Sequence, residues 1–464
     1  MYNRIEAFWK GIEGRRVAFL GIGVSNTPLI EQFLSKGALV TACDKRERSA
    51  LLDAADRLET LGVTLKTGSD YLKNLDVDVI FRTPGMRFYI DELNEARSRG
   101  IAVTSEMEVF FDLCPCPIFA VTGSDGKTTT TTIISEMLKS GGKTVHLGGN
   151  IGRALLPVIE EISADDAAVV ELSSFQLISM RKSPNVAVVT NVTPNHLDMH
   201  KDMTEYIEAK KNIFLHQNAF SRTVLNLDNG VTRDFAPEVR GEPLFFSRQS
   251  DKMAGAFLEN DIICFREHNN DVTRVINAGD IAIPGVHNVE NYMAAISAVW
   301  GYVSIESMVK VAKTFMGVEH RAELVRELDG VKYYNDSIAT TPTRMTSGTL
   351  SLYDRKITVI AGGYDKKIPF DTLGSVLCEK VGMLILMGVT APKIEQAVLN
   401  AENYRDCGIK IIKASSMEEA VKAARDNAKH GDIVSLCPAC ASFDMYPNFE
   451  VRGSHYKDIV NSLT

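Results

Sequence analysis

The segment from Ile118 to Ser140 constrains the fold more than any other stretch of the chain. Ile118–Thr122 is an apolar run of β-type residues, Gly123–Gly126 breaks it with two glycines, and Lys127 opens a threonine-rich helical period. An apolar strand delivered through a glycine loop into a helix is the repeating unit of parallel α/β layers, whose sheets need helices on their faces. The alternation restarts in three stretches. The first has the strand RRVAFLGIG, a helix through Pro28–Lys36, the strand ALVTACD, and strands around Val63–Leu65, Val77–Arg82 and Ile101–Val103. The second opens at Pro117 and continues with AAVVELS, VAVVTNV and a helix over about Thr204–Leu215. It passes through shorter β segments between Thr223 and Ile283 and closes with the helix NVENYMAAISAVW. The third starts near Val318, with strands VKYYND, KITVIAGG, MLILMG, IKIIKA and DIVSLC. The expected fold is therefore α/β in three domains: residues 1–105 Rossmann-like, 106–318 a central ATPase-type sheet, and 319–464 again Rossmann-like. The 464-residue length agrees with about three domains.

Composition narrows the function classes. Lys plus Arg (51) against Asp plus Glu (59) leaves a charge of −8, without a basic run to neutralise a phosphate backbone, so nucleic acid is not an expected partner. No run of 18 apolar residues suggests a membrane span, and the N-terminus lacks a signal-peptide core; a cytoplasmic protein is expected. Eight cysteines are scattered, the close pairs being Cys114/Cys116 and Cys437/Cys440. No second C-x-x-C and no suitably spaced histidine pair completes a zinc site with Cys437/Cys440, so reduced, structural thiols are expected.

VTGSDGKTTT, Val121–Thr130, carries the strongest chemistry. Glycines let backbone N–H groups approach an anion, the helix N-terminus favours negative charge, Lys127 reaches terminal phosphates, and the Thr128 hydroxyl suits Mg²⁺. Val121 stands where the longer Walker pattern has its first glycine, so the loop is a shortened variant. GIGVSN, Gly21–Asn26, with Asp44 ending the next strand, begins like a dinucleotide fingerprint, but Asn26 occupies the third glycine position. NAD, another nucleotide diphosphate and a purely structural turn all remain open there. Glu171 in ELSSFQL ends a strand, where a carboxylate either binds the Mg²⁺ of a nucleotide or caps the chain. His196 and His200 lie four apart, yet Leu197 replaces the glutamate that a zinc-protease helix needs. Lys210 and Lys211 read, on helical physics alone, as a solvated basic face.

Together these segments resemble the Mur ligase family of ATP-dependent peptide-bond-forming enzymes, along the whole chain and in the family's motif order. TGSDGKTTT, ELSSFQL, SPNVAVVTNVTPNHLD, GVHNVEN, HRAE, NDSIATTP, GGYDK and CPACASFDMYPNFEVRG carry the likeness, the last and SSFQ matching the branch that adds D-glutamate. The resemblance implies ligation of D-glutamate to UDP-N-acetylmuramoyl-L-alanine in the synthesis of peptidoglycan precursors, serving cell-wall growth, cell shape and division. It implies ATP and two Mg²⁺ ions, small-molecule partners only, and a monomer. Gly123, Ser124, Asp125, Gly126, Lys127, Thr128 and Thr129 would cradle ATP. Asn288 and Asn291 would lie on the adenine side, and Arg321 and Asp336 would reach the nucleotide from the third domain, which would close on it. Thr128 and Glu171 would hold the first Mg²⁺; His196 and a carbamylated Lys210 would hold the second. Lys127, Glu171, His196, Lys210 and Arg321 would form the catalytic set. Thr340, Lys366, Ser442 and Phe449 would bind D-glutamate, and Val24, Ser25, Asp44, Lys45, Arg46, Thr83, Gly85 and Asn150 the UDP-substrate. The chain departs from some relatives at Ile338, where they have lysine, at Asn195, where they have an acid, and at the variable Lys45.

Three rival readings follow from subsets of these motifs. A nucleotide-dependent dehydrogenase would use the first domain but leave the ATP loop without a purpose. A folylpolyglutamate synthase shares that loop but lacks the Asp44 domain and PACASFDMYPNFE. A nucleotide-binding switch would hydrolyse ATP without a carboxylate acceptor.

Overall fold

A computed structural model of the chain describes residues 4–23, 26–51, 53–194, 200–249, 252–366 and 368–464. Val24, Ser25, Asn195 and His196 lie outside the described residues. Among the described residues there are three sheets, of five, nine and six strands.

The first sheet contains β1 (Arg16–Leu20), β2 (Leu39–Asp44), β3 (Thr64–Thr67), β4 (Val79–Arg82) and β5 (Ala102–Thr104), all parallel, in the order β3-β2-β1-β4-β5. The second contains β6 (Ile118–Thr122), β7 (Val145–Gly149), β8 (Ala167–Glu171), β9 (Val186–Val189), β10 (Arg222–Asn226), β11 (Glu242–Ser247), β12 (Gly255–Glu259), β13 (Ile262–Arg266) and β14 (Val272–Asn277). Its order is β14-β13-β12-β11-β10-β9-β6-β8-β7, parallel except for the β12–β14 meander. The third contains β15 (Glu323–Leu328), β16 (Val331–Asn335), β17 (Ile357–Ala361), β18 (Val381–Leu386), β19 (Lys410–Lys413) and β20 (Ile433–Leu436), ordered β15-β16-β20-β17-β18-β19. Only the β15–β16 hairpin in it is antiparallel.

The chain forms two compact units: residues 1–281 with 286–314, and residues 282–285 with 315–464. In the first, the helix Thr27–Ser35 drives Phe33 against Phe19 and Phe81, with ring centroids 5.2 and 5.0 Å away. That aromatic knot belongs to one continuous apolar core that also takes in Leu155, Leu156, Ala120 and Val170 beneath the second sheet. In the second unit the period-2 alternation of a two-sided sheet is explicit: Val359 and Leu384 face one core, Ile360 and Ile385 the other.

Two strands escape the apolar-run criterion. β7 (VHLGG) ends in glycines, and β15 (ELVREL) is a half-exposed edge whose charged residues hide its pairing. The helix expected over Thr204–Leu215 runs from Met203 to Lys211, capped at its start by the Asp202 carboxylate, which accepts from Glu205 N. All eight cysteines are free, and Cys437 and Cys440 are buried in the loop after β20. No helix among the described residues is long and apolar enough to cross a membrane.

Candidate active site

β6 is buried throughout and lies between β8 and β9, so its C-terminal loop emerges in the crevice where the strand order reverses. Two glycines are mandatory there. Gly123 has φ +155°, and a Cβ on it would stand 1.9 Å from Thr190 Oγ1; at Gly126, φ +78°, a Cβ would meet Asn291 Oδ1 at 2.5 Å. Neighbouring chain fixes the loop: Ser124 N donates to Asn191 O and Asp125 N to Asn191 Oδ1, each at 2.9 Å. Ser124 Oγ also lies 3.0 Å from the Tyr206 hydroxyl. Thr128 and Thr129 are buried in the first turn of the helix Lys127–Ser140, and Lys127 Nζ folds back onto Ser124 O at 2.9 Å. Asn291 accepts from Thr130 Oγ1 and donates to Asn288 Oδ1, each at 3.1 Å, which sets both asparagines against the start of that helix.

Glu171 ends β8 beside this loop, in register with Val121. Thr128 Oγ1 donates to Glu171 Oε2 at 2.6 Å, and Asn150 Nδ2 donates to Glu171 Oε1 at 2.8 Å. A hydroxyl and a carboxylate converging in a buried place form the all-oxygen donor set that a hard divalent cation prefers. Asn150, expected with the UDP-substrate residues, thus bonds the carboxylate of this cluster.

Lys210 is fully buried under the loop. Its Nζ donates to Gly123 O at 2.7 Å and Thr122 Oγ1 at 3.4 Å, and sits 4.6 Å from the centre of the Tyr206 ring. Burial, reinforced by the nearby Lys127 charge, holds its amine well below the ordinary lysine range, with Asp125 and Glu171 pulling weakly the other way. Lys211 points elsewhere, to ion pairs with Glu208 at 2.9 Å and Glu238 at 2.7 Å. The solvated basic face read from helical physics is therefore wrong for Lys210, and Lys211 is a largely covered, ion-paired lysine rather than a freely solvated one. His200 Nε2 pairs with Ser174 Oγ at 2.8 Å, and its ring stacks on Phe175 and meets Tyr206 edge-on at 5.3 Å.

A second constellation gathers at the C-terminal ends of β1, β2 and β4. Asp44 accepts from Ile22 N at 2.9 Å and from Arg46 Nε and Nη2 at 2.9 and 2.8 Å. Thr83 packs against Gly21, whose Cβ would lie 3.2 Å from Thr83 Cγ2, while Lys45 and Gly85 are exposed.

In the second unit, Lys366 Nζ donates to Thr340 O and Oγ1, both at 3.3 Å. Ser442 is buried, and Phe449 begins the helix Phe449–Ser462. Asp336 is buried at the end of β16, accepting from Ala322 N at 3.2 Å and from the Thr349 hydroxyl. Burial pushes its carboxyl up to about 6, although those bonds and the Arg321 charge oppose the shift.

A family model described as the Mur ligase middle domain matches residues 121–299, and one described as the Mur ligase glutamate ligase domain matches residues 320–440. The chain belongs to the Mur ligase family. A relative from Acetivibrio thermocellus named UDP-N-acetylmuramoylalanine–D-glutamate ligase is 54% identical over the whole of both chains. One of the same name from Clostridium beijerinckii is 50% identical, covering 100% of this chain and 99% of its own. The solved UDP-N-acetylmuramate-alanine ligase of Thermotoga maritima shares the fold, with a TM-score of 0.57 at 17% identity over 97% of this chain and 99% of its own. The three-domain α/β architecture is that of the Mur ligases.

In this Mur ligase, sequence reasoning missed residues that support the site through bonds distant in the chain. Tyr206, one helical turn before Lys210 and on its face, had a periodicity signal. Asn191 and Arg452 had none. Arg452 is buried and bonds Cys440 O, Ala441 O and Ser337 O at 3.1, 3.2 and 2.8 Å, tying the loop that carries Ser442 to the segment after Asp336.

Gly123→Ala should weaken nucleotide binding roughly tenfold or more, since positive-φ strain of about 1–3 kcal/mol adds to the collision with Thr190. Titration with a fluorescent ATP analogue measures it, and undiminished affinity would reject the loop as the anion cradle. Asp336 supplies a pH test. Its folded pKa, about 6, stands above the ordinary 3.8, so the stability of its protonated form is present below the lower value and lost as pH rises through the upper. Asp336→Asn should therefore show a smaller decline in urea midpoint than the natural chain between about pH 5 and pH 8.

Proposed function

We propose that this Mur ligase joins D-glutamate to UDP-N-acetylmuramoyl-L-alanine at the expense of ATP, through an acyl phosphate, in the cytoplasmic synthesis of peptidoglycan precursors. The observation that carries the reading is the cluster of Lys127, Thr128, Glu171 and buried Lys210 around one glycine loop, in a chain about half identical to relatives of that name along its full length.

Residues 1–105 serve the UDP-substrate, 106–318 ATP, and 319–464 D-glutamate. A carboxylate does not condense with an amine in water, so it is first activated: its oxygen attacks the γ-phosphorus of ATP and ADP leaves. This transfer is chiefly positioning and charge neutralisation. Main-chain N–H groups of Gly123–Thr129 orient the phosphates, and Lys127 exchanges its bond with Ser124 O for the γ-phosphoryl oxygens. Arg321 is assigned a charge-neutralising role. Thr128 and Glu171 have the donor chemistry to hold one Mg²⁺; His196 and the carbamate of Lys210 are assigned to a second. When bound, the ions neutralise phosphate charge and align the reacting oxygens. The D-glutamate amine, having lost its proton, attacks the acyl carbon, and the tetrahedral adduct expels phosphate. Thr340, Lys366, Ser442 and Phe449 hold D-glutamate; Asn288, Asn291 and Asp336 hold the nucleoside end of ATP. Val24, Ser25, Asp44, Lys45, Arg46, Thr83, Gly85 and Asn150 are assigned to the UDP-substrate, Asn150 doing so from its place on Glu171.

The Lys210 assignment has a physical basis. An ammonium repels a divalent cation, whereas a carbamate is an anionic oxygen ligand. Carbamylation needs a neutral amine, which burial favours here.

Phosphate release with UDP-N-acetylmuramoyl-L-alanine tests the reading. D-glutamate should support turnover and L-glutamate should be rejected by a factor on the order of 10⁴, because the wrong enantiomer leaves buried polar groups unpaired. Equal turnover of the two, or phosphate release that ignores the acceptor, would overturn it. Lys210→Arg should fold, keep ATP affinity within about threefold and lose most ligation, while Lys211→Arg stays near normal, since adjacent helical residues point about 100° apart. Intact-mass measurement for added CO₂ on Lys210 separates the carbamate from a structural lysine.

A further inference from the structure

Arg82 ends β4 with its side chain buried. Nη1 donates to Thr83 O at 3.2 Å and to Met86 O at 2.6 Å, so the loop that follows the strand folds around the guanidinium. Nη2 donates to Phe175 O at 2.8 Å, in the helix Ser174–Leu177 that begins three residues beyond Glu171. One planar fork therefore grips two segments distant in sequence. On one side is the loop of Thr83 and Gly85; on the other is the segment leading from Glu171.

Its surroundings reinforce this role. Glu108 balances the buried charge and accepts from Ser105 Oγ and Ser179 Oγ, each at 2.9 Å, which ties the start of the helix Glu106–Leu113 to the residues just after the helix Ser174–Leu177. Arg97 holds the far end of the loop, with its guanidinium 4.0 Å over the Phe88 ring and Nη2 bonded to Phe88 O at 3.0 Å. A cleft of about 480 Å³ opens beside the fork, lined by Arg82, Met86, Phe88, Phe175 and His200 among others.

We propose that Arg82 is a positioning residue, which fixes the spacing between the Thr83–Gly85 loop and the Glu171 segment and so sets the fit of the UDP-linked acceptor. The proposal rests on the assignment of Thr83 and Gly85 to the UDP-substrate. Lysine keeps the charge but lacks the rigid fork needed to serve both segments at once. Arg82 has no bond to the phosphate loop, so its effect falls on the acceptor and not on ATP.

The test is steady-state kinetics of Arg82→Lys and Ser179→Ala for all three substrates, with UDP binding by calorimetry and thermal denaturation alongside. Arg82→Lys should raise the KM for UDP-N-acetylmuramoyl-L-alanine and the Kd for UDP about tenfold, the scale of one lost charge-assisted hydrogen bond, with KM for ATP and D-glutamate within about twofold. Ser179→Ala, which cuts a neighbouring bond but leaves the Arg82 fork on both segments, is the control and should keep the acceptor KM within about twofold. Unchanged acceptor KM and UDP affinity in Arg82→Lys would overturn the proposal. So would a parallel rise of all three KM values with a lower melting temperature, which marks a purely structural arginine. Absence of turnover in the natural chain would instead overturn the proposed reaction, and UDP affinity would still decide the role of Arg82.

Discussion

The glycine loop after β6 is packed over a lysine amine placed where an ammonium is unfavourable. Lys210 is buried by the inward face of the helix Met203–Lys211, whose Tyr206 lies beneath the amine and touches Ser124 with its hydroxyl. The two oxygens it bonds, Gly123 O and Thr122 Oγ1, are both uncharged. To offer its carbonyl there, the chain at Gly123 takes a positive φ and passes so near Thr190 that no side chain fits. The buried amine, the glycine and the loop's bonds to Thr190 and Asn191 thus hold one another in place. A charged lysine in that place is costly, so the fold shifts it toward the neutral base, the form that reacts with CO₂.

One topological rule positions all three constellations. In the first sheet the strand order reverses at β1, between β2 and β4; in the second at β6, between β8 and β9; in the third at β17, between β18 and β20. Parallel strands on either side send their connections to opposite faces, which leaves a crevice outside their carboxyl ends. Gly21 with Thr83, Gly123 with Glu171, and Gly363 with Ser442 are the residues found at those ends. The six-stranded sheet adds Asp336 after β16, next in line beyond β20, and Arg452 crosses beneath to fasten the loops together. Residues distant in sequence therefore meet because each follows a strand, and not because of any local pattern.

That is why the sequence was legible where chemistry is local and opaque where it is not. The loop Gly123–Lys127 could be read because its glycines, lysine and threonines must be contiguous to cradle an anion, and most parallel strands could be read because burial on both faces demands unbroken apolar runs. Lys210 reads with Lys211 as a solvated face because both are lysines, although Tyr206, one helical turn before it, and Ala209 mark the inward side. The roles of Arg82, Asn191 and Arg452 rest on bonds to carbonyls and amides far along the chain, and main-chain partners leave no mark in a sequence. β15 was hidden for a different reason, since a half-exposed edge strand needs little apolar character.

Asn26 shows how a departure from a motif resolves into physics. A third glycine at this position would serve close packing of helix on strand in a dinucleotide site. Here Asn26 is buried at the start of the helix Thr27–Ser35, and its side chain does not cap that helix. Its amide turns back to β1, donating to Leu20 O at 3.1 Å and Gly21 O at 3.0 Å. Those carbonyls lie where β1 leaves the sheet and need partners once buried. A glycine would leave both without this donor, so the asparagine belongs to the turn's own structure rather than being a degraded fingerprint. Asp44 is similarly committed: both its oxygens are engaged by Ile22 N and the Arg46 fork, which leaves its carboxylate poorly placed to take the ribose hydroxyls that the acid of a dinucleotide site receives. Arg46 is half-exposed and carries the positive charge of this pair at the mouth of the crevice. The acid of this turn is already committed to Ile22 and Arg46, so the motif that suggested a dehydrogenase lacks the free carboxylate on which that reading depends.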